Sequence, residues 1–157
     1  MPVSLLLRRQ HAEIRGLLVE VRNAPAHHLE IAFEAFAEAV DTHWAVESRH
    51  LYPLLERIGY PDQYRSIEAH RALCHVVHDL RGLCQDGPHF LSALKVLSAQ
   101  LEQYIVDEER MLLPYIEEHV DAAELDEIAE EMMATIAEIE NENWIGAPSA
   151  WTNHPAA

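Results

Sequence analysis

Basic residues are scarce in this chain: 11 Lys and Arg stand against 27 Asp and Glu, a formal charge of −16. So acidic a surface is repelled by phosphate backbones and anionic lipid headgroups, which argues against nucleic acid and membrane as partners. Glycine is equally sparse, at 5 of 157 residues. With Ala, Leu, Glu and Ile filling most windows, that scarcity argues against both disorder and an all-β fold. Long apolar runs are missing too: no stretch approaches the ~20 residues of a membrane span. The opening "MPVSLLLRRQH" places its leucines before its arginines, the wrong order for a signal peptide. A cytoplasmic protein is therefore expected. Cysteine occurs only at Cys74 and Cys84, on what reads as one helix. Ten residues of helix rise about 15 Å, and disulfide Cα atoms lie within roughly 7 Å, so the two do not bridge.

What the chain does have is helical periodicity and histidine. Apolar residues recur at helical spacing in five blocks, 3–22, 29–57, 62–85, 88–117 and 121–143, separated by "NAPAHH", "IGYPD", "CQDGPH" and "HVD". Breaks this short favour antiparallel neighbours. The expected fold is all-α: an up-and-down antiparallel four-helix bundle with an additional C-terminal helix, over residues 1–145, followed by an irregular tail over 146–157. Asp121 followed by Glu124 suits a capping-box start for the fifth block, which reads as a packing helix on the stripe Leu125, Ile128, Met132, Ile136 and Ile139. Trp144, just before the tail, and Trp151 within it are candidates to fold back onto the bundle or to meet a partner.

There are 11 histidines, as many as Lys and Arg together, and their positions decide which matter. In the first block His11 sits within the stripe Leu7, His11, Ile14, Leu18. The second gives Phe36, Val40, His43, Glu47, Leu51, Leu54, and the fourth gives Leu97, Leu101, Tyr104, Glu108, Met111, Tyr115. In the third, His70 lies on the face of Leu73, Val77, Leu80 and Cys84, Cys74 sits toward its rim, and His75 and His78 project outward. Two glutamates among leucines are costly unless paired or neutralised, and no Lys or Arg shares these stripes near them. A metal ion would answer that cost, and imidazole with carboxylate suits iron, zinc or manganese. Any one of these residues alone is more often a core histidine or a helix-surface pair; it is the set on four facing stripes that favours a site.

The stretches "RRQHAEIRGLL", "HWAVESRHLYP", "IEAHRALCHVVHDL" and "YIVDEERMLLP" resemble the four helices of the hemerythrin-like, or HHE cation-binding, family over about residues 5–118. The resemblance implies a bundle holding a non-haem di-iron centre, two Fe ions per chain with one as the alternative. Its chemistry would involve dioxygen, peroxide or nitric oxide, or iron sensing and repair. Carried over by position, His11 and His43 would bind one iron, Glu47 and Glu108 would bridge, and His70 would bind the second. Tyr104 stands where the family has a histidine, and Cys74 where the oxygen carriers have another. Both departures fall on the second iron, which puts strict oxygen carriage in doubt.

A phenolate from Tyr104 would have to lose a proton that ordinarily leaves near pH 10, and would favour ferric iron. By analogy with the axial tyrosine of haem catalase, peroxide disproportionation becomes plausible. The alternative is Tyr104 as a space-filling residue bonded to Glu108 or to a metal-bound water. His50 reads as a residue outside the ligand set, although Glu47-x-x-His50 has the spacing of ferritin-like motifs. Pro53 and Pro114 each remove a helical hydrogen bond, so a kink or helix end is expected about a turn and a half beyond each glutamate. The expected partner is a small molecule; a homodimer is allowed for. Two other readings remain: a mononuclear sensor or storage module without turnover, and a helical scaffold whose site has decayed.

Overall fold

The computed structural model describes residues 1–84 and 86–146, with side chains as far as residue 142. The expectations for the tail beyond Gly146, for Trp151 and for the side chain of Trp144 lie outside the described residues. Helix α1 (Val3–Asn23) leads through a short 3₁₀ turn (Ala26–His28) into a continuous rod made of α2 (Leu29–Val46), a π-helical turn (Glu47–Leu51) and α3 (Tyr52–Ile58). Helix α4 (Gln63–Arg81) returns, and a second rod follows: α5 (Gly87–Asp107), a π-turn (Glu108–Leu112) and α6 (Leu113–His119). Helix α7 (Ala122–Gly146) completes the described chain. The two rods with α1 and α4 form the four-helix bundle, and α7 is the additional helix, packed on α1, α2 and the first π-turn.

Local chemistry sets the ends. Gly59 at φ 68° closes α3 with bonds from Gly59 N to Glu56 O and from Tyr60 N to Leu55 O, the Schellman pattern that L side chains rarely permit. At α7 the Asp121 carboxylate accepts from Ala123 N at 2.9 Å. The reciprocal half of a capping box is missing, because Glu124 pairs instead with Arg57 of α3.

The widened turns begin at Glu47 and Glu108, each two residues short of reaching the positions disturbed by Pro53 and Pro114. In each, a backbone N–H bonds five residues back, Tyr52 N to Glu47 O and Leu113 N to Glu108 O. No stop results: the helix goes on through the π-turn, with one residue more per turn. That extra residue corrects part of the predicted stripe. Met111, expected inside, is 49% exposed, whereas Leu112, Leu113 and Ile116 are buried.

The core has two apolar parts. Ile14, Phe33, Phe36, Phe90 and Leu97 anchor one, and Leu7, Leu51, Leu55, Leu113 and Met132 anchor the other. His11, His43, Glu47, His70 and Glu108 are buried as well, on stretches of helix that join the two parts.

Candidate metal centre

His11 from α1, His43 and Glu47 from the first rod, and Glu108 from the second each offer a donor atom, and all these atoms lie within 4.8 Å of one another. The helical stripes cause this. His43 and Glu47 are one turn apart on one face, with Nε2 and Oε1 separated by 3.5 Å. Glu108 Oε2 stands 3.1 Å from His11 Nε2 and 4.0 Å from His43 Nε2.

Glu47 divides its carboxylate between two sets of groups. Oε1 faces His43, while Oε2 meets His70 Nδ1 at 2.7 Å and accepts from the Tyr104 hydroxyl at 2.8 Å. The Tyr104 hydroxyl is also 3.0 Å from His70 Nδ1. Tyr104 therefore bonds to Glu47, not to Glu108 as one sequence reading had it. Oxygen and nitrogen atoms about 3 Å apart suit hydrogen bonds, and equally suit neighbouring donors around one ion at about 2.1 Å.

Electrostatics mark the cluster as built for a cation. Burial and the neighbouring Glu47 push the Glu108 carboxyl up to about 7. Burial lowers His70 to about 4 and holds His43 well below the ordinary histidine value. Burial also works against charge on His11, but its bonds to Glu108 and Glu109 outweigh this and leave it raised. Tyr104 is held well above the ordinary phenol value by burial and by both glutamates. Among the described residues His43 Nε2, Glu47 Oε1 and Glu108 Oε1 are buried without a hydrogen-bond partner. Such atoms are costly alone, and an ion of two or more positive charges among them satisfies all three while removing the repulsion between the carboxylates.

Several participants were not expected from sequence. Glu109 Oε1 accepts from His11 Nδ1 at 2.9 Å, and Gln10 Oε1 accepts from His43 Nδ1 at 3.1 Å. Each fixes which ring nitrogen faces the cluster. Arg8 donates to the Glu109 carboxylate and to its backbone carbonyl, within the turn where Pro114 supplies no N–H. Tyr52 places its hydroxyl 3.0 Å from His70 Nδ1 and 3.4 Å from Glu47 Oε2, while Trp44 packs edge-on against His70 with ring centroids 4.5 Å apart. At α-helical spacing Tyr52 points away from Glu47; the π-turn brings it round, and Pro53 was the one signal available.

Other predicted roles separate cleanly. Cys74 is half-buried and lines a different, open cavity with Asp41, Trp44, His75 and His78; burial lifts its thiol to about 12. His50 bonds to Thr135 Oγ1 at 2.8 Å and so ties the first π-turn to α7, which gives α7 a polar anchor beyond its apolar stripe. Both cysteines are free.

A family model, the hemerythrin HHE cation binding domain, matches residues 4–116. Uncharacterized proteins of Mycobacterium tuberculosis and Mycobacterium bovis are 28% identical to the chain over 137 residues, covering 85% of it and 84% of each relative. No solved structure gives a significant match. The chain belongs to the hemerythrin HHE cation-binding family.

Proposed function

We propose that this member of the hemerythrin HHE family is a non-haem iron protein with a carboxylate-bridged di-iron centre, active in dioxygen, peroxide or nitric oxide chemistry or in iron handling. The observation that carries the reading is the divided carboxylate of Glu47, with His43 at one oxygen and His70 and Tyr104 at the other. His11, His43 and Glu108 with Glu47 would hold one iron; His70 and Tyr104 with the far oxygen of Glu47 would hold the second. Bound iron supplies Lewis acidity and one-electron redox chemistry.

The chain's own residues do the rest. Glu109 keeps a proton on His11 Nδ1 and Gln10 keeps one on His43 Nδ1, so both Nε2 atoms are free to act as donors. The Tyr52 hydroxyl holds a proton beside His70 and Glu47, whereas that of Tyr104, which donates to Glu47 here, would give up its proton on binding iron. Ile14, Val40, Leu73, Leu101 and Ile105 line the small space against the three histidines and keep bulk water from it.

A second reading, a mononuclear sensor or storage site, draws on the same Tyr104: its hydroxyl is satisfied by Glu47 without any metal. Metal analysis of protein expressed with iron separates the two, with about two iron per chain expected for the first and about one for the second. A content below about 0.2 per chain overturns both and leaves the decayed scaffold, for which His43→Ala would not change thermal stability with or without iron. The Tyr104→Phe variant tests the ligand assignment. Oxidised iron-loaded protein is expected to show a phenolate charge-transfer band that the variant lacks, and coincident spectra would remove Tyr104 from the set. Peroxide- and nitric-oxide-consumption assays on the iron-loaded protein then distinguish turnover from storage.

A further inference from the structure

Between α4 and α5, ending at the widened turn of Glu108, lies a cavity of about 500 Å³. Its walls are mainly apolar, and it is open to solvent on one side, where the exposed Ala69 and Ala72 of α4 and Ala99 of α5 border it. Met111, turned outward by the π-turn, flanks it, and Tyr104 and Glu108 lie at its inner end. Leu73 and Tyr104 also line the small void against His11, His43 and His70. These two side chains are therefore shared walls between the cavity and the donor cluster. The volume belongs to the range of organic-ligand sites, roughly 300–1,000 Å³, and a diatomic gas or hydrogen peroxide does not require it.

We propose that this cavity binds an uncharged, mainly apolar organic molecule bearing one hydrogen-bonding end, seated against Tyr104 and Glu108. Charge at the rim excludes the alternatives. Arg65 has no ion pair among the described residues, but Asp62 and Asp107 line the same cavity, on a chain of net charge −16. An anion would gain one cation and meet three acids, Asp62 and Asp107 at the rim and Glu108 at the inner end. A cation would find Asp62 and Asp107 only near solvent, where pairing is worth little, would find Glu108 already engaged by His11 Nε2 at 3.1 Å, and would lose its hydration against alanine, leucine and methionine. Binding stands on the cavity alone; that the bound molecule is presented to iron rests on the reading given under Proposed function.

The test titrates 1-naphthol into the full chain, metal-free and iron-loaded, by calorimetry, with 1-naphthoate and 1-naphthylmethylammonium as charged counterparts. Saturable one-site binding of 1-naphthol to both forms is expected, with both charged probes weaker by at least about tenfold. Ala72→Phe and Ala99→Phe are each expected to weaken 1-naphthol by at least about tenfold, with thermal stability and iron uptake kept. In the unsubstituted metal-free chain, NMR shifts should centre on the methyls of Ala69, Ala72, Ala99 and Met111, which locates the ligand even where a variant fails to fold. Absence of saturable binding, shifts centred elsewhere, undiminished binding to both folded variants, or tighter binding of 1-naphthoate would each overturn the proposal. Binding of 1-naphthol to a chain that takes up no iron supports the cavity and instead removes the di-iron reading.

Discussion

Glu108 and its neighbours give the metal-free protein a pH dependence whose sign follows from their environments. A carboxyl raised to about 7 contributes stability at pH values below the ordinary carboxylate range, and that contribution is lost as pH rises through about 7. His11, also raised, acts in the same direction. His70, lowered to about 4, and His43, held well below the ordinary histidine value, act in the opposite direction: their contribution is fully present above about 6.5 and is lost as pH falls toward their folded values. The part that belongs to Glu108 is isolated by Glu108→Gln: in metal-free protein, the Tm of the unsubstituted chain relative to this variant is expected to fall between pH 6 and pH 8. Melting curves of the two chains check this, and a difference that is flat or rising over that range would contradict it. Glu109→Gln provides a second prediction. It weakens the acceptor for His11 Nδ1–H and should lower metal affinity by about 10–100-fold in chelator competition. Glu102→Gln, which removes only a partner of Arg15 on the surface, should leave affinity unchanged. His11, His43, Glu47, His70, Tyr104 and Glu108 were legible because each interrupts an apolar stripe. Glu109 was not, since its importance comes from Arg8 and His11 on another helix.

At the scale of elements, the two π-turns explain where helical reasoning succeeded and where it slipped. Up to Glu47 and Glu108 the stripes run at α-helical phase, and every residue predicted inward before those points is buried apart from Cys84, which is half-buried. After them the phase shifts by a residue, which exposes Met111 and turns Tyr52 toward His70. The prolines announced a disturbance, but their effect on direction depended on which carbonyls the rest of the fold could satisfy, among them that of Glu109 by Arg8. The start of α7 was readable from sequence and carries its own prediction. Asp121→Ala removes the acceptor for Ala123 N and should cost about 1 kcal/mol in denaturant unfolding, with iron uptake unaffected. A loss within a few tenths of zero would mean that tertiary packing alone holds that helix end.

For the molecule as a whole, 27 acids against 11 basic residues make self-repulsion the dominant long-range term. Surface pairs such as Arg15 with Glu102 and Arg81 with Asp41 are each worth little. The Tm of the metal-free protein is accordingly expected to rise between about 10 mM and 150 mM salt, as the screening length falls from roughly 30 to 8 Å; a fall would show that the pairs outweigh the repulsion. Among the described residues no helix is long and apolar enough to cross a membrane. The sequence by itself determined the helical class, the approximate helix boundaries and which polar residues would be drawn into the core, because burial of apolar area enforces the 3.6-residue period along each helix. Only the tertiary structure decided how those residues meet. It set the two oxygens of Glu47 against different partners, recruited Tyr52, Gln10 and Glu109 to the histidines, and left a cavity beside Tyr104. These outcomes depend on distances between helices and on a widened turn, and periodicity within one helix carries no information about either.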